Sequence, residues 1–160
     1  VKSLAERLPK IGRGIDTQST YEQYLKEINA VDNELSQLFR QIAPDKRVLI
    51  SHHANLGQFA KHFGLTVAGT IIASGSGESA DPSARHFSEL LALIRKQKIH
   101  VVVSDQGQSD AFARRLTEDA GLPPPLSLSF EYLEPIGQPG DNWTSMMLTN
   151  GKRLHQALLK

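Results

Sequence analysis

Four side chains with metal-binding chemistry lie shortly after apolar runs of this sequence: His52, His53, Asp105 and Glu134. Histidine nitrogen and carboxylate oxygen together bind Zn²⁺ well, and they also suit Mn²⁺. In open parallel α/β sheets, ligands bind beyond the carboxyl ends of the strands. If the apolar runs are strands of such a sheet, the four side chains lie along one edge and form a candidate metal site.

The same residue types also have ordinary structural explanations. A histidine pair can be solvated in a loop, and Asp105 can hold the following loop through nearby backbone amides. Glu134 can simply be exposed. Asp81 and Asp141 each precede a helical pattern and are interpreted as helix caps. The other histidines lie on predicted helices or at a strand start and are interpreted as structural or solvated: His62, His86, His100 and His155.

Strand and helix patterns alternate along the chain after Pro44. Apolar runs predict four strands, at 48–50, 65–72, 99–103 and 126–130. Amphipathic patterns predict helices at 55–63, after 81–83, at 111–120 and after Asp141. This alternation predicts the α/β class, as a four-stranded parallel sheet with helices on both faces.

A long helical pattern precedes the predicted sheet. Its apolar residues recur with a period near 3.6 from Thr17 to Ile42. Such a helix would be roughly 39 Å long, which is more than one lobe requires. We therefore expect a spine helix that two lobes can share. The predicted organisation is a helix remnant and spine over 1–42, followed by an α/β lobe over 43–160.

The composition excludes several classes of function. The formal net charge is +1, and the sequence lacks the clustered basic field that nucleic acids or anionic membranes require. There is no cysteine, which excludes thiolate metal sites and thiol catalysis. No run approaches the roughly 18 apolar residues of a membrane span, so direct membrane insertion is not expected.

A small α/β hydrolase remains as a remote alternative, because serines and histidines are both plentiful. The sequence has no nucleophile elbow of the type Gly-x-Ser-x-Gly. The loop Gly75-Ser76-Gly77 resembles a phosphate cradle but lacks the Gly-Lys-Ser/Thr of a P-loop. We therefore do not expect an enzyme.

Four segments carry a family resemblance: 51–65, 81–105, 134–137 and 140–150. The first contains Ser-His-His-Ala and later Phe-Gly-Leu, and the second begins Asp-Pro-Ser. The third reads Glu-Pro-Ile-Gly, and the fourth reads Gly-Asp-Asn-Trp ahead of Met-Met. In order and spacing they resemble the metal-specific periplasmic solute-binding proteins, the zinc and manganese receptors of ABC importers.

The resemblance implies two similar lobes joined by one long helix, with the metal between them. This chain would be the carboxyl-terminal lobe, and the amino-terminal lobe with its two histidines would be absent from it. Counting back without a gap from Gly64 selects His53 as the first ligand, whereas one inserted residue selects His52. Glu134 would be the second ligand. Asp105 matches an acidic position that more often supports the site than ligates.

The predicted function is therefore capture of zinc, with manganese as the alternative, in the periplasm or outside the cell. The implied partners are the membrane permease of an ABC transporter and the missing amino-terminal lobe. A lobe that mediates interaction without metal is the alternative, because Glu replaces the family's Asp at 134 and Asp replaces its Glu at 105. We also expect the native gene product to be longer at its amino terminus and secreted.

Overall fold

The computed structural model describes residues 17–72 and 83–160. The helices are α1 (Thr17–Arg40), α2 (Gly57–His62), α3 (Ala84–Gln97), α4 (Ala111–Ala120) and α5 (Trp143–Leu159). The strands are β1 (Val48–Ser51), β2 (Thr66–Thr70), β3 (Val103–Asp105) and β4 (Leu126–Leu128). Short 3-10 turns occupy Pro44–Lys46 and Ala54–Leu56. The predicted helix remnant at 1–8, the glycine–serine loop at 75–77 and the proposed cap Asp81 lie outside the described residues.

The four strands run parallel in the order β2–β1–β3–β4. β1 pairs with β2 and β3 pairs with β4, while the two pairs are joined by a single bridge between Ile50 and Val102. The amide of Ile50 also donates to the carbonyl of Val101 at 3.1 Å. The predicted α/β class and parallel arrangement are confirmed, with a ladder that is interrupted at its centre.

Helices cover both faces of this sheet. On one face Leu49, Val101 and Val103 pack with residues of α1, α2 and α5. On the other face Ile50 and Val102 pack with residues of α3 and α4. Neighbouring strand residues thus enter opposite cores, as the period of two requires. The sheet is buried on both sides, which explains why its strands appear in the sequence as continuous apolar runs.

The third strand lies further along the chain than the sequence predicted. Ile99, Val101 and Val102 are buried, at 2–4% exposure, but β3 itself begins at Val103. The apolar run therefore identified buried residues correctly but placed the strand too early in the chain. The predicted run at 99–103 overlaps the observed β3 (Val103–Asp105) only at its last residue.

α1 is one unbroken helix of 24 residues, roughly 36 Å long, and it ends two residues before the predicted Ile42. It packs along α5, where Lys152 pairs with Glu34 at 2.7 Å. At Gly151 an added Cβ would lie 2.3 Å from a methyl carbon of Leu35, so glycine permits this close approach. Within the described ranges, no helix combines the length and apolar character that membrane crossing would require.

The predicted helix cap at Asp141 is wrong. Asn142 is the N-cap of α5, and its side-chain oxygen accepts a hydrogen bond from the Ser145 amide at 2.9 Å. Asn142 has the extended backbone that an N-cap needs directly before the first helical residue. Asp141 instead accepts from the amide of Gly137 at 2.8 Å and closes the loop before the helix.

Candidate metal centre

The candidate centre lies where β1 and β3 end. His52 and His53 directly follow Ser51, the last residue of β1, and Asp105 is the last residue of β3. The Ile50–Val102 bridge sets these two parallel strands side by side. The two histidines and the aspartate therefore reach the same edge of the sheet, although they come from distant parts of the chain.

Both histidines face the same carboxylate oxygen. His52 Nδ1 lies 3.6 Å from Asp105 Oδ2, and His53 Nε2 lies 3.7 Å from it. The two imidazole centroids are 4.6 Å apart, and their planes meet at 53°. One ligand atom from each residue lies within 4.8 Å of the other two. We refer to His52, His53 and Asp105 as the His–His–Asp group.

The spacing within the His–His–Asp group fits a shared cation better than direct hydrogen bonds. Hydrogen bonds between nitrogen and oxygen have lengths of about 2.7–3.2 Å, so separations of 3.6 and 3.7 Å are too long. A tetrahedral ion with bonds of about 2.0–2.1 Å places its ligand atoms roughly 3.4 Å apart. The two nitrogen–oxygen separations are therefore close to the spacing that such an ion requires.

Two atoms of the group are buried and unsatisfied. His52 Nδ1 and Asp105 Oδ2 have no hydrogen-bond partner among the described residues. The side chains are 7% and 12% exposed, while His53 is 22% exposed. Leaving a buried polar atom unpaired costs about 1–3 kcal/mol. A divalent cation would satisfy both atoms at once, and the more open His53 gives it a path from solvent.

The backbone holds the ligand-bearing turns in place. The carbonyls of Ser51 and His52 accept from the amides of Ile71 and Ile72, at 2.9 and 3.0 Å. Beyond β3, the amide of Gln106 donates to the carbonyl of Leu128 at 2.8 Å. These bonds extend the strand pairing past β1 and β3, so the His–His–Asp group rests on a fixed frame.

Glu134 lies outside the His–His–Asp group. Its Oε1 accepts a hydrogen bond from Gln106 Nε2 at 2.7 Å, and its amide donates to the carbonyl of Gly140 at 3.0 Å. Of the four residues predicted from the sequence, the fold gathers His52, His53 and Asp105. Glu134 is linked to this group through Gln106, the residue that follows Asp105. A ligand role for each of the four remains a prediction.

Two carboxamides beside the group had no recognisable signal in the sequence. Gln106 holds Glu134, and Asn55 Nδ2 donates to Glu131 Oε1 at 3.2 Å. Amide side chains are common in loops, and only their positions next to Asp105 and His53 could have drawn attention to them. Together they tie the loop after β4 to the loops after β3 and β1.

The remaining described histidines lie elsewhere, in structural contacts. His62 pairs with Asp32 on the surface between α2 and α1. His86 and His100 contact backbone carbonyl oxygens, of Thr70 at 2.9 Å and of Leu158 at 3.3 Å. His155 is buried edge-on against the ring of Phe39. None of them belongs to the candidate ligand group found among the described residues.

The described residues form a parallel α/β lobe with a histidine–carboxylate group at the carboxyl edge of its sheet. Residues 12–157 match the model of the family described as zinc-uptake complex component A, periplasmic. The chain belongs to this family. The resemblance inferred from the four sequence segments is thereby confirmed.

Three comparisons illustrate the relationship. The chain is 27% identical over 146 residues to the zinc-binding lipoprotein AdcA of Streptococcus pneumoniae. This alignment covers 88% of the chain and 28% of AdcA. It is 23% identical over 163 residues to the manganese ABC transporter substrate-binding lipoprotein scaA of Streptococcus gordonii, covering 99% of this chain and 51% of that protein. The periplasmic zinc-binding protein TroA of Treponema pallidum superposes with a TM-score of 0.83 at 20% identity, covering 99% of this chain and 59% of TroA.

These comparisons define the class of protein. The likeness to TroA shows the fold, and the chain spans about half of the length of scaA and about a quarter of that of AdcA. The relatives are named as binding lipoproteins, not as enzymes, which argues against the hydrolase alternative. Their names differ in the metal: zinc is named for AdcA and manganese for scaA.

Proposed function

We propose that the protein to which this lobe belongs captures a divalent metal ion outside the cytoplasm and delivers it to an ABC importer. The observation that carries this proposal is the pair of buried, unpartnered atoms, His52 Nδ1 and Asp105 Oδ2, with His53 Nε2 beside them. A bound cation is the substrate that such a group fits. The family and the names of the relatives support the same class of function.

Zinc is the favoured ion. Two imidazole nitrogens and one carboxylate oxygen form a mixed set that suits Zn²⁺, whereas Mn²⁺ favours sites richer in oxygen. Glu134 would add a second carboxylate if its side chain turned towards the His–His–Asp group. That addition would make the site more acceptable to Mn²⁺, so manganese stays as the alternative substrate.

We infer that the complete protein has a second lobe, which precedes residues 1–42 and contributes further ligands. Support comes from the length of α1 and from the half-length match to scaA. In this organisation α1 is the spine between the lobes and residues 43–160 form the carboxyl-terminal lobe. Metal bound between two lobes would couple loading to their relative position, which a transporter could sense.

The partner and location follow from the proposed role. scaA is named as an ABC transporter substrate-binding lipoprotein, so we infer a membrane permease as the partner of the complete protein. We further infer a periplasmic or extracellular location, with a lipid tether as one means of attachment. Neither nucleic acid nor insertion of this lobe into the membrane is part of the proposal.

A lobe that mediates interaction without metal is the second candidate function. Three large apolar side chains on the loop after β4 favour it: Tyr132, Leu133 and Ile136 are 58%, 56% and 99% exposed. Such a patch can form part of a protein interface. A partner of the metal-loaded receptor could use the same surface.

Calorimetric zinc titration separates the two candidates. We expect the protein to bind zinc, and His53→Ala and Asp105→Ala to weaken binding at least tenfold. His62→Ala is the matched control, since His62 also contacts a carboxylate but lies outside the group. Equal affinities within about threefold for all four proteins would reject the proposed site and favour the interaction lobe.

A further inference from the structure

We propose that Gln106 is a positioning residue for metal capture, holding the Glu134 carboxylate where a rotation of its side chain can bring it into the coordination sphere of the His–His–Asp group. This inference rests on the proposed function. Gln106 follows Asp105 directly, and its Nε2 donates to Glu134 Oε1 at 2.7 Å. The side chain of Gln106 therefore connects Glu134 to the end of β3, which carries Asp105.

Gln106 is itself well anchored. Its amide donates to the carbonyl of Leu128, so its backbone continues the pairing of β3 with β4. Its neighbour Asp105 is the candidate oxygen ligand and the last residue of β3. The backbone of this donor is held in place, so the hydrogen bond from its exposed side chain favours one position of the Glu134 carboxylate before any metal arrives. Supporting hydrogen bonds of this kind orient the ligands of known metal sites.

The hydrogen bond leaves Glu134 suited to bind a cation. The carboxamide of Gln106 is neutral, so it orients the carboxylate without cancelling its negative charge. The bond uses Oε1, and a carboxylate offers a second oxygen that can ligate while the first keeps its donor. An arginine or lysine at position 106 would instead compete with the metal for the same charge.

The loop that carries Glu134 is fixed at both ends. Its start is held by buried Asn150, whose side chain bonds the backbone amide and carbonyl of Ser129. Near its end, Gly140 accepts from the Glu134 amide and donates its own amide to Ser145 Oγ at 2.8 Å. Between these anchors, a rotation of the Glu134 side chain can bring its second oxygen towards the His–His–Asp group without unfolding the loop.

Asn55 provides a matched comparison. It ties the same loop to the histidine side of the group, but through Glu131. If anchoring the loop were all that mattered, removal of either carboxamide would have the same effect on metal binding. If Gln106 acts through Glu134, only its removal weakens binding, and only while Glu134 is present.

The test is a double-mutant cycle on the complete protein, with zinc affinity and the visible absorption of the Co²⁺ complex as readouts. Gln106→Met keeps the side-chain length and removes the donor, and it should lower zinc affinity about tenfold. In the Glu134→Ala background the same change should have no effect. Gln106→Met and Glu134→Ala should change the Co²⁺ spectrum alike, and Asn55→Ala should leave it unchanged.

Each other outcome overturns the proposal. Additive losses in the cycle, or an equal loss in Asn55→Ala, would assign Gln106 a general structural role. Unchanged affinity in Gln106→Met, in a parent protein that loses zinc binding on His53→Ala, would reject this inference and leave the proposed function intact. A parent protein that binds no zinc would reject both.

Discussion

His52 Nδ1 and Asp105 Oδ2 face each other at 3.6 Å inside the protein, and neither atom has a hydrogen-bond partner among the described residues. Selection for stability alone would favour hydrogen-bonded or apolar side chains at this position, because unsatisfied buried polar atoms lower the free energy of unfolding. Functional sites are one place where proteins keep such an arrangement, and these two atoms also lie in a group with His53 Nε2. This relationship makes the metal hypothesis testable through stability as well as through binding.

Asp105→Asn should stabilise the metal-free protein while it weakens metal binding. A neutral amide costs less to bury than a carboxylate without a partner, so we expect the free energy of unfolding to rise by about 1 kcal/mol. Urea denaturation in the presence of a chelator measures this change. Asp45→Asn, at an exposed position, is the control and should leave stability unchanged within about 0.5 kcal/mol. A loss of stability in Asp105→Asn would show that the carboxylate has a structural role.

Gly151→Ala should destabilise the lobe, because the new methyl group would collide with Leu35 of α1. Overpacking of this kind costs about 1–3 kcal/mol, measurable by thermal or urea unfolding. Gly57→Ala is the matched control. It has helical backbone angles and no atom within 4 Å of an added Cβ, so alanine there should be neutral or slightly stabilising. Similar stabilities of the two variants would contradict the close packing of α1 on α5.

The sequence predicted the layered architecture well, because its signals are local. Continuous apolar runs identified buried strands, and the 3.6 period identified α1 as one long helix. The position of β3 could not be obtained in this way, since Val101 and Val102 are as buried as Val103 but are not in the strand. Pairing depends on the neighbouring strand, which the local pattern does not contain.

The candidate site was predictable in part for the same reason. His52, His53 and Asp105 follow regular strands, so the topology of a parallel sheet places them at one edge. Glu134 belongs to an irregular loop, whose course depends on hydrogen bonds such as those of Gly140 and Gln106. The sequence predicted a site of four residues, of which the resemblance implied two ligands; the fold brings His52, His53 and Asp105 together, and Glu134 is not part of that group.

Stability should depend on pH through Asp110 and Arg114, which pair at 2.7 Å in the first turn of α4. The hydrogen bond from Arg114 lowers the pKa of Asp110 below its ordinary value. The pair therefore contributes stability above that ordinary value, and the contribution is lost as pH falls through the lowered pKa. Asp110→Asn should be slightly less stable than the parent at pH 7, and the difference should vanish in strong acid.

The control for this effect is Arg114→Lys, which keeps the cation and should retain most of the difference between neutral and acidic conditions. Urea midpoints at both pH values provide the comparison. Because both side chains are solvent-accessible, the effect should be small and should shrink at high salt. A difference of the same size at both pH values would assign the effect of Asp110→Asn to the helix end instead of the ion pair.

The most direct test of the central claim is an anomalous difference map at the zinc edge, from crystals of the zinc-loaded protein. We predict one strong peak that lies about 2.0–2.2 Å from His52 Nδ1 or His53 Nε2 and from Asp105 Oδ2. The peak should be absent from crystals of Asp105→Ala. A loaded protein with no peak at the His–His–Asp group, or with its only peak at an exposed pair such as His62 and Asp32, would contradict the account.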